Sequence, residues 1–369
     1  MEFTPRIEIH LDKIRHNVKV LKDLYGKKGI QITGVVKGVG GSLKVARVLL
    51  ESGISSLADS KIANIRKMKK AKLNATFILL RTPAMGEVQE VVQFADISMN
   101  TEIEVIKALS AEAVRQGKIH QVILMAEMGD LREGVLLKDF PSFIRETLKL
   151  PNIRIAGIGT NFACFGGVIP TEQKMREFSS FVRSMQNQFS LIFSHISGGN
   201  SANYNWMIST KDTGAINNIR LGESIFLGRE TASGKLIPGL YPDAFCFVAE
   251  VIESKIKPSV PYGNRGRNAF GETLSFKNRG DMRRAIVGVG RQDILVSGLT
   301  PLQPVEIIGS SSDHIILDAK TFFLKPGDEV KFSLNYGAML SAMTSPYVHK
   351  KYLHSDEKIN KGPLSITTA

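Results

Sequence analysis

Cysteine is nearly absent: Cys164 and Cys246 are the only two in 369 residues. No disulfide framework can be built from them, and a reducing compartment is expected. No apolar run reaches the roughly 18 residues that a membrane-crossing helix needs. The opening MEFTPRIEIHLD also lacks a cationic segment followed by an apolar one. A soluble, cytoplasmic chain with no membrane partner is therefore expected. Acidic residues are the scarcer charge, 35 against 48 Lys and Arg, which leaves a net +13. Such a balance can mark nucleic-acid binding, but here the basic residues are spread along helix-like segments. The densest run, KIANIRKMKKAK (61–72), has neither repeats nor interleaved aromatics. It reads as a solvated basic face, so no nucleic-acid partner is expected, and no metal site either.

Short apolar runs alternating with longer amphipathic ones fill residues 30 to 225. The strand candidates are IQITGVV (30–36), ISSLA (54–58), TFILL (76–80), DISM (96–99), HQVILMAEM (120–128), IRIAGIGT (153–160), LIFSHIS (191–197) and NNIRLG (217–222). Ser60 is expected to cap the helix after the second of these, and Thr101 with Glu104 to form a capping box on a helix ending at Gly117. Most of the strands are too apolar to be covered on one side only. Eight such units over about 200 residues predict an α/β fold, a (β/α)8 TIM-type barrel. After about residue 236 the runs AFCFVAEVIESKIK, RRAIVGVG, VEIIG, HIILDA and DEVKFSLNY predict a C-terminal β-rich domain without a long helix. The expected organisation is an N-terminal strand (1–11) joining the β domain, a barrel (12–235), and the β domain (236–369) with a frayed polar tail from about 354.

In a barrel, chemistry belongs at the C-terminal ends of the strands. Lys37 lies there, in ITGVVKGVGG (32–41). GVGG lacks the spacing of a dinucleotide-binding glycine loop, and no GK[ST] phosphate loop occurs. A lysine snorkelling to water is one reading. The glycines 34, 38, 40 and 41 leave space that such a lysine does not need, which suits a desolvated, nucleophilic amine. Spacing alone leaves both open. SGGNS (197–201) at the end of the seventh strand offers an anion site with Asn200 and Ser201 as added donors, and IRLGE (219–223) brings Gly222 and Arg220 beside it. A phosphate and a lysine in one barrel mouth imply pyridoxal 5′-phosphate.

These residues carry a resemblance. PRIEIHLDKIRHNV (5–18), TGVVKGVGG, SLADS, GDLREG (129–134), GTNFACFGGV (159–168), SGGNS, NNIRLGESIFLGRE (217–230), VGRQDI (289–294), SSSDHIILD (310–318) and NYGAMLSAMTSPY (335–347) occur in this order over most of the chain. The sequence resembles the fold-type III pyridoxal-phosphate enzymes of the alanine racemase family, most of all its ornithine racemases and related amino-acid racemases. The resemblance implies a barrel followed by a β domain, and a head-to-tail homodimer with shared active sites. It makes Lys37 the lysine that binds the cofactor as a Schiff base. It sets Arg220 against the pyridine nitrogen, Ser201 and Gly222 on the phosphate, and Arg132 near the phenolic oxygen and the substrate carboxylate, with Arg81 as the alternative carboxylate partner.

Departures from the family pattern accompany the matches. Gly40 and Gly41 stand where a phosphate-contacting tyrosine is expected, and Asn161 replaces a histidine. Val289 falls where the opposite-face tyrosine base should be. Inversion needs a proton donor and acceptor on each face. Lys37 serves one face, and the other is left to His314 with Asp313, or to Asp293, Cys164, Tyr336 or Tyr347, with Tyr347 also placed to meet substrate. Histidine titrates near neutrality, which favours His314. His195, inside an apolar run, is expected to be structural. A distal ammonium would need one of Asp130, Glu133, Glu223, Asp293 or Asp313. Glu223 in place of Arg220 at the pyridine nitrogen would suit a dehydratase, aldolase or decarboxylase on the same scaffold. A non-catalytic cofactor carrier is a further reading, disfavoured by the β domain.

Overall fold

The computed structural model describes residues 3–354. Eight parallel strands close on themselves: Gln31–Val35, Ser56–Asp59, Thr76–Leu79, Ile97–Asn100, His120–Glu127, Ile153–Gly159, His195–Ser197 and Asn218–Leu221, the last pairing back onto the first. All eight expected strands are present. The seventh is short: residues 191–194, expected to begin it, are irregular chain between the helix Glu172–Phe189, which ends at Ser190, and His195. Val35, Ala58, Ile78, Ile97, Met99, Ile123, Met125 and Ala156 form one buried cluster, which accounts for strands that are apolar throughout.

A buried polar row crosses four adjacent strands. Thr33 and Ser56 hydroxyls are 2.9 Å apart, Asn218 donates to Thr33 Oγ1 at 2.9 Å, and Ser197 donates to Asn218 Oδ1 at 2.9 Å. Each member is satisfied by the next, as a buried polar group requires.

Two expected caps take other forms. The helix Ile62–Lys70 begins after Lys61, whose N–H donates to Asp59 rather than being organised by Ser60. The helix Ile103–Arg115 begins after Glu102, while Thr101 is bonded to Thr82, so no capping box forms. Gly117 follows that helix at φ +62°, as expected of a terminating glycine.

One compact unit is Ile14–Pro242; the other joins the segment through Lys13 to the chain from Asp243 onward. In the latter, Arg6–His10 pairs antiparallel with Phe245–Pro258 and parallel with His349–Leu353. Strands Asp281–Val287, Leu299–Pro301, Glu306–Ser310, Ile315–Asp318 and Glu329–Leu334 complete an eight-stranded sheet. Arg6 is buried between Glu8 and Glu329, at 2.7 and 2.6 Å. The sequence reading missed the helix Tyr336–Thr344, capped by Asn335. Its residues are mostly apolar or small and give no amphipathic period to detect. The tail expected to fray falls almost wholly outside the described residues. Among the described residues no helix is long and apolar enough to cross a membrane.

His120, at the start of the fifth barrel strand, is buried with Nε2 2.8 Å from the Ser98 hydroxyl. Burial pushes its imidazole from 6.5 to about 4. Between those values the unfolded chain takes up a proton that the folded chain refuses. The contribution is therefore complete above pH ~6.5 and lost as pH falls to about 4, a cost of about 3 kcal/mol. Denaturation midpoints followed from pH ~7 to ~4 should fall less steeply for His120→Gln than for the parent chain.

Candidate active site

Lys37 opens a single 3-10 turn, Lys37–Val39, directly after the first barrel strand, and Gly40 closes it at φ +59°. The amine is drawn off the solvent and held below its ordinary range, chiefly by burial. The charges of Arg132 and Arg220 add to that shift, and Cys164 and Asp59 oppose it. A lysine in this setting spends more of its time as a neutral amine, the form that attacks a carbonyl and accepts a proton.

Arg220, on the eighth strand, is 5% exposed. Its guanidinium donates to Ser197 Oγ at 2.6 Å, to the Thr160 carbonyl at 2.9 Å and to Asn161 Oδ1 at 3.2 Å. All three acceptors are uncharged. Burial and Arg132 push the group down to about 10, so it remains a cation at neutral pH. The polar row of the barrel ends on it, since Ser197 is also bonded to Asn218. That fixes the fork from below.

Two loops carry the neighbouring groups. Asp130, buried, accepts the backbone N–H groups of Cys164 and Phe165 at 3.2 and 3.1 Å, while its carbonyl accepts from Gly166 at 3.0 Å. It ties the 129–134 loop to the 161–168 loop and is occupied in doing so. Arg132 is half-exposed and pairs with Glu133 at 3.3 Å. Its charge reaches both Lys37 and Arg220.

Ser201 and Ser224 hydroxyls are buried 3.1 Å apart at the starts of two short helical segments. Gly222 lies between the eighth strand and Val35, where a Cβ would come 3.1 Å from the Val35 carbonyl oxygen. Any side chain at 222 would press on the first strand just before Lys37.

Three expected roles differ from what the fold allows. Arg81 is not free for a carboxylate, because it grips Glu87 at 2.8 and 2.9 Å and the Ser60 carbonyl at 2.9 Å. Asn200 is not a spare donor: its amide N–H groups go to Asn161 and Phe162, and its oxygen accepts from Ala202. It aligns Asn161 instead. Glu223 lies with Thr231, which donates to it at 2.7 Å, and with Arg229 and Glu230. Burial pushes its carboxyl up, and it is not among the groups acting on Arg220.

His314, Asp313 and Tyr347 belong to the β-rich unit. His314 Nδ1 is 3.1 Å from Asp313 and 3.3 Å from the Ser311 hydroxyl. Tyr347 is 75% exposed, and Asp293 is buried against Ser345 at 2.7 Å. His195, half-buried, bonds Ser194 Oγ at 3.0 Å and has its imidazole lowered by burial, a structural arrangement. The residue that sequence reasoning passed over is Asp59, a fully buried carboxylate whose charge acts on Lys37. Its signal was an acid closing an otherwise apolar strand.

The barrel unit fits a phosphorylated pyridine aldehyde. Thr160 Oγ1 and Asn161 Nδ2 are buried beside Arg220 without a partner among the described residues, as is Asn100 Oδ1 at the end of the fourth strand, an unmet polar surface in the barrel unit. Lys37 offers the amine, Arg220 a fixed cation, and the serine pair with Gly222 a compact polar corner free of bulk.

Comparison with known proteins agrees. The alanine racemase N-terminal domain model matches residues 9–230. An ornithine racemase of Acetoanaerobium sticklandii is 38% identical, covering 95% of this chain and 99% of its own. A lysine racemase of Thermotoga maritima is 38% identical, covering 94% and 98%. An alanine racemase of Bartonella henselae, solved with covalently bound pyridoxal phosphate, superposes with a TM-score of 0.73 at 19% identity, over 95% of this chain and 100% of that one. The chain belongs to the alanine racemase family, among its amino-acid racemases.

Proposed function

We propose that the chain interconverts the enantiomers of a diamino acid, ornithine first, with pyridoxal phosphate on Lys37, as a cytoplasmic homodimer. The observation that carries this reading is the desolvated Lys37 amine in the field of a buried Arg220 that has no carboxylate bonded to it among the described residues. Pyridoxal phosphate supplies an electron sink that acidifies the α-proton of an amine joined to it. With pyridoxal phosphate bound, Lys37 would be the group that takes or returns that proton at the α-carbon on one face. Arg132 holds the substrate carboxylate. Arg220 refuses a proton to a basic nitrogen placed beside it and so keeps the sink weak, which favours return of the proton over cleavage of other bonds. Thr160 and Asn161 supply the unmet polar contacts, with Asn200 aligning Asn161.

For the opposite face we assign His314, oriented by Asp313, supplied by the second copy of a homodimer. Glu133, beside Arg132 and felt at Arg220, is the carboxylate set for a distal ammonium. The named activities of the ornithine and lysine racemases support a substrate of that kind. Chiral chromatography of protein incubated with pyridoxal phosphate and L-ornithine, L-lysine or L-alanine tests this. D-ornithine or D-lysine should accumulate at least about tenfold faster than D-alanine, the discrimination a paired charge provides. Equal rates would remove the distal-ammonium assignment.

A further inference from the structure

The turn that carries Lys37 rests on the helix Ile62–Lys70. Lys67 Nζ donates to the Gly40 carbonyl at 2.9 Å. Gly41, at φ +58°, lies so close to Asn64 that a Cβ there would be 2.7 Å from the Asn64 Cβ. A side chain at 41 would therefore push the turn off the helix. Asn64 Nδ2 in turn donates to Asp59 Oδ2 at 3.1 Å, and the Lys61 N–H donates to Asp59 Oδ1 at 2.8 Å. Asp59 ends the second barrel strand, next to the strand that leads into Lys37, and has no solvent exposure.

Beside burial, the groups that chiefly act on Lys37 are Cys164, Arg132, Arg220 and, more weakly, the Asp59 carboxylate. Burial pushes the Asp59 carboxyl up, while the hydrogen bonds from Lys61 and Asn64 and the charges of Lys37 and Lys67 favour its ionised form. A lysine that collects a proton in this setting becomes a partly buried cation in the field of two arginines. A buried charge without a partner is costly, and one with a partner and hydrogen bonds is tolerated.

We propose that Asp59 is a positioning residue for Lys37, the buried counter-charge that holds the amine whenever it is protonated, while Asn64 and Lys67 fix the turn beneath it. This rests on Lys37 being the reactive lysine. Asp59 touches neither substrate nor cofactor in this role. It sets how readily Lys37 gives a proton up and keeps the amine in place while it carries one.

The test uses the protein free of cofactor. Lys37 is labelled with pyridoxal and cyanoborohydride over a pH series, and the modified peptide is quantified by mass spectrometry. Asp59→Asn keeps an acceptor for the Lys61 N–H and removes the charge. Its labelling midpoint should move to lower pH, with labelling below the midpoint about tenfold faster, the effect of losing one close opposite charge. Asn64→Ala keeps the charge, so its midpoint should stay at or above that of the parent chain. Asp59→Ser gives the same reading as Asp59→Asn if the latter does not fold. An unmoved midpoint in the Asp59 variants overturns the proposal, as does an equal shift in Asn64→Ala, which would mean a loosened turn. Failure of the parent chain to label at Lys37 is a separate result: it removes the reactive-lysine reading, and Asp59's role with it.

Discussion

Lys37→Ala is expected to lose racemisation by at least about 10³-fold, and with it the visible absorbance that lysine-bound pyridoxal phosphate gives. The expectation follows from the position rather than from the residue type alone. The chain carries 48 Lys and Arg, most of them in solvated stretches. Lys37 differs in being turned inward at a strand end, with burial and two arginines holding its amine below the ordinary lysine range. No neighbouring side chain can stand in for a neutral amine there. Cys164 is a thiol, and Asp59 already accepts from Lys61 and Asn64. The fold should survive the change, because the alanine removes a group whose burial is unfavourable. Circular dichroism close to that of the parent chain, with both the absorbance and the activity gone, is the predicted outcome. A bound-cofactor spectrum unchanged in Lys37→Ala would refute the assignment.

Arg220→Gln is expected to lower racemisation by about 10²-fold and to let keto acid form from the same substrate in an amount limited by the cofactor present, because the amino group would stay behind on the cofactor. Gln keeps one or two of the hydrogen bonds to Ser197, Thr160 and Asn161 but removes the cation. Arg220 is pushed only as far as about 10, so at neutral pH the parent chain always presents a charge. Without it a basic nitrogen at that position would be free to take a proton and the electron sink would strengthen. The α-proton could then return to the cofactor rather than to the α-carbon, leaving the amino nitrogen on the cofactor and releasing the keto acid on hydrolysis. Stability should fall by about 2 kcal/mol for the hydrogen bonds lost in the interior. Product analysis by proton NMR distinguishes this from simple damage, which would slow racemisation with no new product.

The strands and the place of Lys37 at a strand end were legible because both leave local marks. A parallel barrel needs strands that are apolar on both sides, and glycines around one cation at a strand end are visible in ten residues. The row from Ser56 through Thr33, Asn218 and Ser197 to Arg220 was not legible. It joins small polar residues from four segments, and only the register of the closed sheet brings them into line. The same limit misplaced Arg81 and Asn200. Each is a good ligand by type, but each is consumed by a partner that the fold supplies: Glu87 for one, Asn161 and Phe162 for the other. Asp59 was quoted within SLADS and passed over, since an acid at a strand end reads as a cap until the strand beside it is known to end at Lys37.

The central claim is that Lys37 works with a second group to invert an α-carbon. Proton NMR in D2O, with purified protein, pyridoxal phosphate and L-ornithine, tests it most directly, with chiral chromatography on the same samples. Loss of the α-proton signal together with accumulation of D-ornithine is the predicted result. Exchange of the α-proton with the L-isomer retained would contradict it. Lys37 would then act alone, Val289 would mark a missing opposite-face group, and the chemistry would be that of a dehydratase, an aldolase or a carrier on the same barrel.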